Sequence, residues 1–112
     1  FQGVLRPGKG LSSFVIDGLN ILTTARIAGD AHACIRPEDI LVSLKPIESS
    51  ARNAFPGRIV EVSNTGTVIN VYIDVQGVVF AAAITRRSFY DMSLEVGKDV
   101  FITFKTADVH VF

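Results

Sequence analysis

Turn-forming pairs recur along this chain at short spacing, and they cut it into pieces suited to short strands. They fall at Pro7-Gly8, Asp17-Gly18, Gly29-Asp30, Pro56-Gly57, Asn64-Thr65-Gly66, Gln76-Gly77 and Val96-Gly97-Lys98, residue types that preset or permit turn geometry. Several segments between them are rich in Val, Ile and Phe, which suit a pleated, half-buried surface. The clearest is 67–76, where Ile69, Val71, Ile73 and Val75 take one face and Asn70, Tyr72, Asp74 and Gln76 the other. Gln76-Gly77 then turns the chain into 78–84, apolar on both faces, which predicts a central strand or one covered on both sides. Asp17-Gly18 joins Ser12–Ile16 to Leu19–Thr23 in a predicted hairpin, and 30–35 and 40–44 are weaker strand candidates. The pattern is that of a small barrel or sandwich.

One short helix is expected after Thr85, which can cap it, with Phe89, Met92 and Leu94 giving apolar contacts and Val96-Gly97 ending it. Arg86 and Arg87 would then sit in its first turn, where the helix dipole disfavours cations. Either both point into water or an anion sits there. Near Lys105-Thr106 the alternation slips: Val100, Ile102 and Phe104 are even-numbered, Ala107, Val109 and Val111 odd. A bulge, a bend or an ordinary hairpin turn each account for this. No internal repeat is visible. Residues 45–53 read as a polar linker, dividing an N-terminal β subdomain, 1–49, from a second part, 50–112, with the better-defined strands.

Charge narrows the function. The 112 residues carry 11 basic and 11 acidic side chains for a net charge of zero, and each half balances by itself. A protein that grips a nucleic-acid backbone normally carries a basic surplus, because its affinity comes from counterion release; no nucleic-acid partner is expected. The apolar fraction of 48% is high for one small domain and points to buried surface at a subunit or domain interface. The longest apolar run, Val78 to Ile84, is far too short for a membrane-spanning helix. With a lone Cys34 and no metal-ligand spacing, neither an internal disulfide nor a protein-ligated metal can be written, and a cytoplasmic setting is expected. A chain opening on Phe reads as cut from a longer polypeptide.

Enzymatic motifs are missing. Gly8-Lys9-Gly10-Leu11-Ser12 only echoes a phosphate-binding loop, since glycine follows the lysine and the upstream glycine is absent, so this chain should not hydrolyse ATP. His32 and His110 read as strand histidines and Cys34 as a small buried hydrophobe, while a Cys34–His110 pair is compatible with the spacing but lacks an activating context. What remains are three polar segments rich in hydroxyls and cations and free of carboxylates: Ser50-Ala51-Arg52-Asn53, Thr85-Arg86-Arg87-Ser88 and Lys105-Thr106. A desolvated dianion needs such donors around every oxygen.

Residues 50–112 closely resemble the molbindin domain of the TOBE group, which binds molybdate and tungstate. The resemblance rests on Ser50-Ala51-Arg52-Asn53 followed by Gly57-Arg58-Ile59-Val60, on Ile84-Thr85-Arg86-Arg87-Ser88, on Leu94 to Val100 and on Phe104 to Val109. It implies a mainly β fold, a small OB-like barrel with one short helix, preceded by a smaller β subdomain. It also implies oxyanion contacts from Ser50, Ala51 and Arg52, from Thr85 and Ser88, and from Lys105 and Thr106, drawn from different subunits of a dimer or larger homo-oligomer. The ligand would be molybdate or tungstate, with no cofactor. Ala33-Cys34-Ile35-Arg36-Pro37-Glu38-Asp39-Ile40 resembles the region after the nucleotide-binding domain of ABC-transporter ATPase subunits. The chain therefore resembles the regulatory domain of a molybdate or tungstate importer's ATPase. Such a domain would work in the cytoplasm at the inner face of the membrane, through the rest of the ATPase subunit and the permease, with intracellular oxyanion inhibiting transport. The alternatives are a ligand-free TOBE dimerisation module of another importer and an OB-like nucleic-acid binder.

Overall fold

The computed structural model describes residues 1–8, 10–25, 29–47 and 53–112. It is mainly β: β1 (Gln2–Pro7), β2 (Ser12–Ile16), β3 (Leu19–Thr23), β4 (Gly29–Ile35), β5 (Leu41–Ser43), β6 (Asn53–Asn64), β7 (Val68–Val75), β8 (Val78–Thr85), α1 (Arg86–Asp91), β9 (Asp99–Phe104) and β10 (Val109–Val111). The strands form two five-stranded sheets, ordered β10-β4-β1-β2-β3 and β5-β9-β6-β7-β8. Period-two alternation places the core: Ile69, Val71, Ile73 and Val75 of β7 are buried together with Val78, Phe80 and Ala82 of β8 and Val100, Ile102 and Phe104 of β9. Leu5, Phe14, Ile21, Ala33 and Ile35 extend the same apolar cluster into the first sheet.

The two sheets are built on one plan. β1 lies between β2 and β4, and β3 follows β2 in a hairpin; β6 lies in the same way between β7 and β9, with β8 following β7. Asp17-Gly18 and Gln76-Gly77 both turn their hairpins with positive φ at both residues, 47° and 83° against 53° and 89°. After β4 and after β9 comes a single 3-10 turn, Pro37–Asp39 and Thr106–Asp108, with near-identical flanking dihedrals. The strand after each turn then crosses to the other sheet, β5 against β9 and β10 against β4. Phe1-Gln2-Gly3-Val4-Leu5 and Phe55-Pro56-Gly57-Arg58-Ile59 are equivalent, since Val4 faces Val15 as Arg58 faces Asp74, each two residues before its turn. A repeat that the sequence does not display is thus present in the fold. Its matched positions share hairpin glycines and strand parity but few side chains, Val4 standing where Arg58 does, and β6 has 12 residues where β1 has 6.

Other expectations change as well. Pro56-Gly57 is no turn but lies inside β6: pairing with β7 begins only at Arg58, so on that side nothing requires the proline's missing N–H. β8 is not central. It is the edge of its sheet, with Val79 47% exposed, because its second apolar face is turned away from the core. Cys34 is exposed rather than buried, since Ala31, Ala33 and Ile35 hold the inward parity of β4. It does face His110 across β4 and β10. The helix ends at Asp91, before Val96-Gly97, where Ser93 adopts positive φ and Lys98 Nζ donates to the carbonyls of Met92 and Ser93 at 2.8 and 3.1 Å. The slip near Lys105 is the turn at which the chain leaves the second sheet for the first.

Candidate functional site

Thr85 and Ser88 form a closed local pair. As N-cap of α1, Thr85 accepts from the Ser88 amide at 3.2 Å, and its hydroxyl donates to Ser88 Oγ at 3.0 Å. Both hydroxyls sit at the end of β8, where Thr85 faces Val68 beside the β6–β7 turn. The two arginines that follow have structural partners. Arg86 Nη1 donates to the Gly66 carbonyl at 2.7 Å, and Arg87 Nε lies 3.7 Å from Asp91 Oδ2, one helical turn on.

Lys105 and Thr106 lie elsewhere. They follow Phe104, which pairs with Asn53 at the opposite end of β6, and Lys105 is exposed. At up to about 3.3 Å per residue, the 12-residue β6 separates the two ends by a contour of up to about 36 Å. Among the described residues, no hydrogen bond joins Thr85 or Ser88 to Lys105 or Thr106. Ser50, Ala51 and Arg52 lie outside the described residues.

Around Lys105 is a concavity of about 240 Å³ lined by Glu38, Asp39, Leu41, Thr103, Phe104 and Asp108. Its three carboxylates repel an anion from a lone chain. Asp39 is already engaged, accepting from Arg36 Nε at 3.1 Å; this hydrogen bond and the attached charge raise the Arg36 pKa above its ordinary value. A larger, open depression of about 520 Å³ between Pro56, Gly57, Arg58, Asp74 and Asp99 holds none of the expected ligand residues, and its Arg58 is paired with Asp99 at 3.1 Å. Among the described residues no cluster of three or more His, Cys, Asp or Glu could hold a metal ion.

Asn53, the last residue of the first polar segment, was not singled out among the expected ligands, and it is 1% exposed. Its Oδ1 accepts from the Leu22 amide and its Nδ2 donates to the Leu22 carbonyl, each at 2.8 Å. Only its place next to Arg52 marks it in the sequence.

The TOBE-domain family model matches residues 49–111. The chain belongs to the TOBE-domain family. This TOBE domain is 31% identical over 96 residues to the molybdate/tungstate import ATP-binding protein WtpC of Pyrococcus abyssi, covering 86% of this chain and 28% of that protein. It is 30% identical over its whole length to WtpC of Pyrococcus horikoshii, covering 32% of it. The molybdenum import ATP-binding protein ModC of Mesorhizobium japonicum is 38% identical over 74 residues, 64% of this chain and 20% of that protein. The TOBE domain thus spans a third or less of the curated relatives it matches. In fold it is similar to the cytoplasmic molybdate-binding protein ModG, crystallised with molybdate bound, at a TM-score of 0.81 and 18% identity over 99% of this chain and 92% of that one. No helix among the described residues is long and apolar enough to cross a membrane.

Proposed function

We propose that this TOBE domain binds molybdate or tungstate where two copies of the chain meet, as an oxyanion sensor within a longer importer ATPase. Ser50, Ala51, Arg52, Lys105 and Thr106 of one copy would act with Thr85 and Ser88 of another. The observation that carries this reading is the Asn53–Phe104 register pair: Asn53, which Arg52 precedes in the sequence, lies opposite Phe104, which Lys105 follows. The Thr85–Ser88 hydroxyls belong to the other end of β6, so one chain by itself cannot close the cage. A second chain would supply them and shield the anion from water, which strengthens every donor in the site. Importer ATPases among the relatives, and the molybdate-bound neighbour, support both ligand and setting. Inhibition of transport would follow if the bound oxyanion holds two regulatory domains together.

The competing reading, a TOBE module that pairs without ligand, draws on the carboxylates of Glu38, Asp39 and Asp108 around Lys105. Native mass spectrometry with and without tungstate decides between them by reporting assembly and ligand count together. Molybdate-induced heat that survives excess sulfate supports the oxyanion site; an assembly unchanged in mass by tungstate, with no heat, overturns it.

A further inference from the structure

We infer that β3 is a brace that fixes the spacing of two segments, the start of β6 and the Lys105-Thr106 turn, and that Asn53 and Thr23 are their positioning residues. The inference rests on the oxyanion reading above. Consecutive residues of β3 hold the two segments. Leu22 exchanges both backbone hydrogen bonds with the Asn53 carboxamide, as a neighbouring strand would. Thr23 Oγ1 donates to the Val109 carbonyl at 3.1 Å and accepts from the Ala25 amide at 3.2 Å. Val109 in turn closes the 3-10 turn by donating to the Thr106 carbonyl. Asn53 at the start of β6 and Val109, which closes the turn carrying Thr106, are therefore fastened to consecutive residues of one strand, β3.

The fold itself does not demand the Thr23 hydroxyl. Its equivalent in the second unit, five residues after its own hairpin glycine, is Ala82, and both are fully buried at 0% exposure. At this one of two matched core positions the polar side chain makes a hydrogen bond that the second unit lacks, the bond to the Val109 carbonyl. Ser12, in register with Thr23 and equally buried, has a hydroxyl with no hydrogen-bond partner among the described residues and provides a control in the same sheet.

The test uses the whole chain, with circular dichroism showing each variant folded at the temperature of titration. Thr23→Val and Asn53→Leu should each weaken molybdate binding roughly tenfold or more, the effect usual for groups that orient ligating residues. Thr23→Ser should restore parental affinity, and Ser12→Ala should retain it. Folded Thr23→Val and Asn53→Leu chains that bind within about twofold of the parent overturn the brace while leaving the oxyanion site standing. A parent that does not respond to molybdate overturns the oxyanion reading instead. Hydrogen exchange without ligand then reads the brace alone: Thr23→Val should speed exchange of the Asp108 and Val109 amides by roughly tenfold, and unchanged exchange overturns it.

Discussion

Gly3 and Gly57 occupy the same place in the two halves of the molecule, each where the neighbouring strand leaves no room for a Cβ. A Cβ on Gly57 would come within 2.6 Å of Ile73 Cγ2 and 2.8 Å of the Asp74 carbonyl, and one on Gly3 would collide with the Val15 carbonyl. Backbone cannot retreat as a flexible side chain can. Gly57→Ala and Gly3→Ala should each destabilise the fold by about 1–3 kcal/mol, the usual cost of overpacking. Urea unfolding measures it; a midpoint unmoved in either variant shows that the strands separate freely there.

Thr85 has a structural task as well as its proposed one. Thr85→Ala removes the acceptor for the Ser88 amide, and loss of such a cap costs about 0.5–2 kcal/mol. Thr85→Ser keeps it. Thermal unfolding should rank parent and Thr85→Ser together above Thr85→Ala, and molybdate calorimetry should follow the same order if the hydroxyl also meets the anion.

Arg52→Ala and Lys105→Ala should each weaken molybdate binding by about 2–5 kcal/mol if the cations are desolvated in the assembly. Arg52→Lys should also bind poorly, because an ammonium cannot reproduce a planar fork of donors. Affinity within twofold of the parent in calorimetry would remove the substituted residue from the site.

Thr103 is 1% exposed and its hydroxyl has no hydrogen-bond partner among the described residues. An unsatisfied buried hydroxyl is a liability that an isosteric methyl removes. Thr103→Val should therefore leave stability unchanged or raise it by about 1 kcal/mol. A marked loss in denaturant titration would reveal a partner, such as a bridging water, for that oxygen.

Lys98 closes the helix by donating to the Met92 and Ser93 carbonyls. Lys98→Met keeps much of the apolar stem and loses both bonds and the favourable charge at the helix end. A loss of about 0.5–1.5 kcal/mol is expected, that of a typical net hydrogen bond. Denaturation at low and high salt checks it, and an unchanged midpoint at both would show that water caps those carbonyls equally well.

Strand identity was legible in the residues because it depends on neighbours two positions apart. The alternation of Ile69 to Val75, the Asp17-Gly18 hairpin and the Thr85 cap all reappear in place. These are local signals, and the local backbone obeys them. The helix end was misplaced because Lys98, seven residues beyond Asp91, supplies the cap. The resemblance named the polar segments, and the register set Thr85 and Ser88 apart from Lys105 and Thr106. That distance appears in no sequence pattern.

By itself the sequence determined the two hairpin turns, Asp17-Gly18 and Gln76-Gly77, and the alternation that turns one face of β7 to the core, since side-chain chemistry every second residue decides what faces inward. Only the tertiary structure decided that two similar units exchange their last strands, that Pro56 and Gly57 run straight through β6, and that Leu22 and Thr23 grip Asn53 and Val109. These depend on contacts between residues dozens of positions apart, 31 for Leu22 with Asn53 and 86 for Thr23 with Val109. Such contacts form when closing the chain buries both apolar faces at once.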